Sequence, residues 1–461
     1  MREITIFLLA IACLLALNNW RVGFSLIVLT GLLQDPLRKL VPDQPVYFVM
    51  FAAVIFVSAY LGALKSGARL SPSAIPGWNI SLAKPFNVFL VLVTLQAAHS
   101  LVRFSSPLMT AIGLVVWLAP VAAIMLSYQF CIRRGMAGVR SWMSFYCTTS
   151  ILFLGSVYIQ SAGADWRVLG EVGEGIIIYD LGTILEANSG LFRSSEIAAW
   201  HASAVSCFLF VLTLGGKVKL RQFILTVALV AILVGIGLLT GRRKMLLEIV
   251  IFFIAFLGLT AAFQSNRRGQ AFGFLLIGAL AFSTVMSVMG PDSPREEAVQ
   301  RQLNTYQEYS LRGQSVFSDA PERLINLGFS PVSWAIESVG WLGSGLGTGS
   351  QGTAGIADGQ RNIWAAEGGL GKIVVELGVP GLLLAVWFLL AGWSHLKKLL
   401  RVTNQLSPIH ARFAYGLLAF LIAKGASFSV AAQAYSDPFI LIIMGISVGF
   451  LLAMPTLARY K

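Results

Sequence analysis

Eleven apolar runs, near 45–64, 86–104, 106–128, 145–162, 197–216, 221–240, 246–264, 271–290, 371–393, 411–431 and 437–456, follow one another along the chain. A helix needs about 17–25 residues to cross ~30 Å of hydrocarbon. Inside lipid every backbone polar group must find a partner within the structure, which only helices and closed barrels achieve. Runs of this length therefore predict an all-α, polytopic integral membrane protein. A further region, 4–33, is split by Asn18, Asn19 and Arg21 and reads either as one hairpin or as one kinked crossing, so the expected total is 12 or 13 spans. The chain is 56% hydrophobic and only 12% charged, whereas a soluble domain carries about 25% charge, so that class is excluded. Arg2 leads into an apolar run that meets Asn18, Asn19, Trp20 and Arg21 without a small-residue cleavage site, and no cleavable signal peptide is expected.

Lysine and arginine in short loops set the orientation. Arg133, Arg134 and Arg140 mark one cytoplasmic loop, Lys217, Lys219 and Arg221 a second, Arg267 and Arg268 a third, the segment from His395 to Arg401 a fourth, and Arg459 with Lys461 the tail. These agree with one another and put the C-terminus inside. The complementary loops, 163–196 and 291–370, are then expected outside, and 291–370 holds five arginines against nine acids with no lysine. The N-terminal third is less regular, because Arg38, Lys39, Lys65 and Arg69 cannot all be inside. The net charge of +13 is spread over loop ends and forms no single stripe, so nucleic acid is not an expected partner. Cys13, Cys131, Cys147 and Cys207 lie in or beside spans without any CxxC or Cys/His grouping, which argues against both a disulfide framework and a zinc site.

Three regions follow: 1–290, a bundle of the first 9–10 spans; 291–370, a large outer loop; and 371–461, the last three spans. Eighty residues is too long for a connector. The loop opens on a polar stretch from Asp292, Ser293 and Pro294 that reads as a capped helix. A moderately apolar stretch over 322–343, suited to the membrane interface, leads into a flexible glycine-rich turn, Gly343-Ser344-Gly345-Leu346-Gly347-Thr348. Downstream lies Glu376-Leu377-Gly378-Val379-Pro380-Gly381, at the head of a span.

In this order the segments resemble the O-antigen ligase and polymerase superfamily. Its members have about a dozen spans, a large late periplasmic loop, a glycine-rich element and a helix carrying an E-L-G-x-x-G pattern. Two more elements are similar to that family. One is the turn Thr240-Gly241-Arg242-Arg243-Lys244 at the outer end of a middle span; the other is an arginine that precedes a span, for which Arg193, ahead of the run at 197–216, is the candidate. The resemblance covers about 190–385 by motif. Ligases of the family place a histidine nine residues before the Glu of E-L-G, where this chain has Glu367, and its histidines, His99, His201, His395 and His410, lie elsewhere. Exopolysaccharide polymerases are the more similar branch. The resemblance implies a metal-independent membrane glycosyltransferase in the bacterial inner membrane, joining undecaprenyl-pyrophosphate-linked repeat units at its outer face without a cofactor. Its partners would be that lipid-linked oligosaccharide, membrane lipid, a chain-length regulator and export machinery.

The chemistry asks for the same residue types. Transfer from a polyprenyl pyrophosphate needs fixed cations at the leaving phosphate, and arginine supplies a planar, permanently charged fork. Arg242 and Arg243 sit at a span end on the face that basic residues avoid, which points to a retained anionic ligand. Arg193, Arg312, Arg361 and Lys372 are further candidates for pyrophosphate or glycan, with Gly343, Gly345 and Gly347 shaping the loop. Glu367 is the candidate base that activates the acceptor hydroxyl, with Glu337 and Glu196 next in line. No paired-acid or His/carboxylate cluster on the outer loops calls for a metal.

Each residue also has a plainer reading. Arg242 and Arg243 suit snorkelling to headgroups, Glu367 suits a helix N-terminus, and Glu376 suits an i,i+4 pair with Lys372. The glycine run suits a mobile linker, and Arg193, Arg312 and Arg361 suit surface charge. Trp334, Trp341 and Trp364 fit an interfacial belt as well as sugar stacking. Two other functions stay open: a ligase acting on a lipid or protein acceptor, and a non-enzymatic transporter of lipid-linked sugar. A transporter would place ionisable groups at mid-membrane depth, for which Lys424 and Asp437 are the candidates.

Overall fold

A computed structural model describes residues 2–42, 44–172, 178–180, 183–185, 187–216, 219–242, 244–264, 324–349 and 368–459. They form an α-helical bundle of α1 (Arg2–Asn18), α2 (Trp20–Leu40), α3 (Phe51–Lys65), α4 (Ala83–Phe104), α5 (Pro107–Ser161), α6 (Ser195–Leu214), α7 (Leu220–Leu239), α8 (Lys244–Phe263), α9 (Ser330–Val339), α10 (Gly369–Leu406), α11 (Pro408–Val430) and α12 (Pro438–Arg459). One short antiparallel pair, β1 (Ile178–Asp180) and β2 (Thr183–Leu185), sets Tyr179 opposite Ile184. Nine helices among the described residues are long and apolar enough to cross a membrane. This is a multi-pass membrane architecture, and the run at 271–290 lies outside the described residues.

Two of the expected spans, 106–128 and 145–162, share the single element α5, which bends at Gly135 through a left-handed φ of 65°. The ambiguous N-terminal region is a hairpin. Asn19 leaves helical geometry at φ −134° and ψ 86°, and its side chain caps α2 by accepting from the N–H groups of Arg21 and Val22. The fold-back is close enough that a Cβ on Gly23 would lie 2.9 Å from the Cβ of Ala16. In a continuous helix those two residues would be about 10 Å apart.

Helices in lipid gain little from apolar burial against one another, so close backbone approach through small residues takes its place. Gly445 and Gly449 of α12, four residues apart, meet α5 so closely that a Cβ on either would collide with the Pro120 carbonyl or the Ser127 hydroxyl. Through this contact α12 packs along α5. α6 meets the head of α12 at His201 and Phe439, ring centres 5.4 Å apart, and its residues are buried without interruption from Ser195 to Phe208.

Basic residues sort to two opposite ends. At one end Arg133 donates to Ser66 Oγ at 3.4 Å, Gln129 to the Arg69 carbonyl at 2.9 Å, Arg140 to the Gly215 carbonyl at 2.7 Å and Arg412 to the Gly216 carbonyl at 3.2 Å. At the other, Lys39 donates to the carbonyls of Gly190 and Phe192, at 2.8 and 2.6 Å. The irregular N-terminal charge pattern is thereby resolved: α3 separates Lys65 and Arg69 at the Arg133 end from Arg38 and Lys39 at the Arg193 end.

Candidate functional site

The Arg193 end gathers the helix termini that matter. Ser194 caps α6 by accepting from the Ile197 N–H at 3.4 Å, and Glu171 Oε1 accepts from the Ser195 N–H at 2.9 Å. Just before this cap, Arg193 is held by two carboxylates from distant parts of the chain. Its Nη1 lies 3.2 Å from Asp35 Oδ1 on α2 and 2.5 Å from Asp437 Oδ2 at the head of α12. Its own N–H also donates to Asp35 Oδ2 at 3.1 Å. Burial alone would lower the guanidinium pKa, but Asp437 and Asp35 outweigh it and hold the pKa above the usual arginine range.

Arg242 reaches the same place from α7. The helix closes with Gly241 at φ 66°, whose N–H donates to the Leu238 carbonyl at 2.8 Å, an ending that favours glycine. The turn carries Arg242 over the start of α6, where its Nε donates to Ser195 Oγ at 3.1 Å and lies 3.7 Å from Glu196 Oε2. Burial lowers the Arg242 pKa, offset in part by Glu171. Its Nη2 is buried and has no hydrogen-bond partner among the described residues. A buried donor on a charged group without an acceptor is costly. It marks a place where an anion would fit. The other oxygen of Glu196, Oε1, takes Lys244 Nζ, so Glu196 sits buried between two cations.

Lys372 arrives from α10. Its Nζ donates to Ser436 Oγ at 2.6 Å, next to the Asp437 that holds Arg193. The three expected cations that are described, Arg193, Arg242 and Lys372, thus come to one end of the bundle. Arg243, Arg312, Arg361 and Glu367 lie outside the described residues. Glu337, a reserve base, is exposed on α9, whereas Glu196 lies within the cation group.

The glycine-rich turn corrects the expectation of a flexible segment. Ser344, Leu346 and Thr348 are fully buried. The turn fills a break in α10, where Gly378 adopts φ 71° and ψ −176° and separates a buried first segment, 369–377, from the long helix after it. A carbonyl and an N–H freed by the break are taken up by the turn, since buried backbone groups need partners. The Ser344 N–H donates to the Val375 carbonyl at 2.7 Å, and the Val379 N–H to the Trp341 carbonyl at 2.8 Å.

Gly343, Gly345 and Gly347 have φ of 77°, 101° and 84°. A Cβ on Gly345 would come within 2.8 Å of Ser100, and one on Gly347 would collide with the Met109 carbonyl. Glu376 lines the far side, with Oε2 accepting from Trp117 Nε1 at 2.5 Å and Oε1 from the Gly349 N–H at 3.1 Å. Trp334 and Trp341, with Leu342, are exposed along α9 and the entry to the turn, as an interfacial segment would have them.

Below this layer, Lys424 of α11 is completely buried and donates to Glu248 Oε2 of α8 at 2.6 Å. Sequence reasoning marked Lys424 and passed over Glu248, Asp35 and Lys39. Their signal was the rarity of charge inside apolar helices, which marks functional residues in membranes. Glu248 lies about 6 Å along its helix from Lys244, and Lys424 about 9 Å from the end of α11. The pair therefore lies on the Arg193 side of the middle of these two helices.

No protein-family model matches the chain, and no curated protein matches it.

Proposed function

We propose that this protein is a membrane glycosyltransferase of the polymerase type, joining polyprenyl-pyrophosphate-linked oligosaccharide units at the outer face of the bacterial inner membrane. The observation that carries the reading is Arg242, a part-buried guanidinium at the Arg193 end whose Nη2 is buried and lacks a partner among the described residues. A pyrophosphate oxygen is the natural acceptor for it, and Lys244 and Lys372 lie at the same end of the bundle to share the charge that develops as the phosphate leaves. Arg193 has a different part in this scheme. Two carboxylates occupy it, so it positions the start of α6 and with it Ser195 and Glu196. Glu367 would take the proton of the acceptor hydroxyl as the glycosidic bond forms. Orientation follows the sequence argument, with the Arg193 end outward and the Arg133 end cytoplasmic.

The test is reconstitution of the full chain in lipid with undecaprenyl-pyrophosphate-linked oligosaccharide and analysis of the products. Long glycans on the carrier support polymerase action. Transfer of single units to an added lipid or protein acceptor would favour the ligase alternative, and absence of any glycosidic bond formation would overturn the enzyme reading. In the same assay Glu367→Gln should still bind the donor and accumulate single repeat units.

A further inference from the structure

Directly beneath the candidate phosphate cations, α6 and α8 are joined by two layers of charge at matching spacing. On α8, Lys244 and Glu248 are one turn apart and share a face. On α6, Glu196, Trp200 and Ser203 recur at helical spacing and form the facing stripe. The upper layer is Lys244 with Glu196. In the lower layer Glu248 Oε2 accepts from the Ser203 hydroxyl and from Lys424 Nζ, and Lys424 also donates to the Trp200 carbonyl at 3.1 Å and lies 4.2 Å from the centre of the Trp200 ring. The Lys424 carbonyl in turn accepts from Tyr435 at 2.7 Å, immediately before Ser436 and Asp437. A slip of α8 along α6 would break both layers together.

We propose that Glu248 and Lys424 are positioning residues that lock the register of α8 against α6 and so hold the turn bearing Arg242 over Ser195. The inference rests on the reading of Arg242 as a pyrophosphate ligand. A buried ion pair is weak support for stability, since its removal as a pair is often neutral or favourable, whereas loss of one partner leaves a buried charge. Placement of a cation at a developing charge is far more sensitive, because displacements near 1 Å cost about 100-fold in rate.

The experiment compares the full-length wild type in lipid nanodiscs with Lys424→Met and with the double variant Glu248→Leu, Lys424→Met. Turnover of lipid-linked oligosaccharide, thermal midpoint and amide hydrogen exchange are measured for each. Lys424→Met is expected to lower both midpoint and turnover. The double variant is expected to recover the wild-type midpoint while kcat stays about 10- to 100-fold down with KM within about twofold. Its exchange should rise over 240–248 and stay unchanged over 438–459.

Wild-type kcat in the double variant, or exchange that rises equally in both segments, overturns the inference and leaves the pair a general structural contact. If the wild type itself forms no glycosidic bond, the functional reading fails on its own. The exchange comparison, repeated with inorganic pyrophosphate as the probe, then decides the register lock: unchanged exchange over 240–248 in the double variant sinks it.

Discussion

The Ser344 N–H donates to the carbonyl of Val375, 2.7 Å away, so a loop residue completes the pairing that α10 gives up at Gly378. Glycine-rich turn and broken helix are two halves of one element. The consequence is steric, because the turn fits only while its left-handed positions carry no side chain.

Gly347→Ala is therefore expected to destabilise the protein by on the order of 1–3 kcal/mol through strain at φ 84° and collision with the Met109 carbonyl. Gly340→Ala, at φ 83° but with open space around the added methyl, carries the backbone strain alone and should cost less. Thermal unfolding in detergent measures both, and equal midpoints for the two variants would contradict a packed turn.

Arg193→Ala should be the most damaging single change at this end of the bundle. It strips Asp35 and Asp437, both buried, of their shared cation. The expected cost is about 3–5 kcal/mol. Adding Asp35→Asn and Asp437→Asn to the same chain should recover part of it. Yield and midpoint after purification report the result, and an unchanged midpoint for Arg193→Ala would remove it from the framework.

Arg242→Ala should act in the opposite sense, sparing the fold and abolishing polymer. Only Nε of the guanidinium is engaged by described residues, at Ser195 and Glu196. Loss of one preorganised donor at a developing charge costs about 10²–10³ in kcat. Arg242→Lys should rescue poorly for want of the planar fork. A variant with full polymer length and a normal midpoint would exclude Arg242 from the chemistry.

Topology can be read with single cysteines in a background lacking Cys13, Cys131, Cys147 and Cys207. Trp166→Cys and Ile80→Cys place exposed thiols at opposite ends of the bundle. An impermeant reagent added to whole cells should label the first and not the second. The reverse pattern would invert the orientation and move the Arg193 end to the cytoplasm.

The helical membrane class was legible from the chain because span length and apolar character are local properties, set by the thickness of hydrocarbon and the need to pair every backbone group. Gly343, Gly345 and Gly347 were legible for a similar reason, as glycines repeated at alternate positions announce unusual backbone. What the turn packs against was not. Pairing depends on which helix ends meet, and that is settled by packing between segments far apart in sequence. Arg193 and Asp35 are separated by 158 positions and Lys424 and Glu248 by 176, distances over which no periodicity carries information. Arg193 therefore read as a ligand-binding cation until Asp35 and Asp437 were seen to occupy it. Arg242 kept that reading because the same packing buried its Nη2 without an acceptor among the described residues.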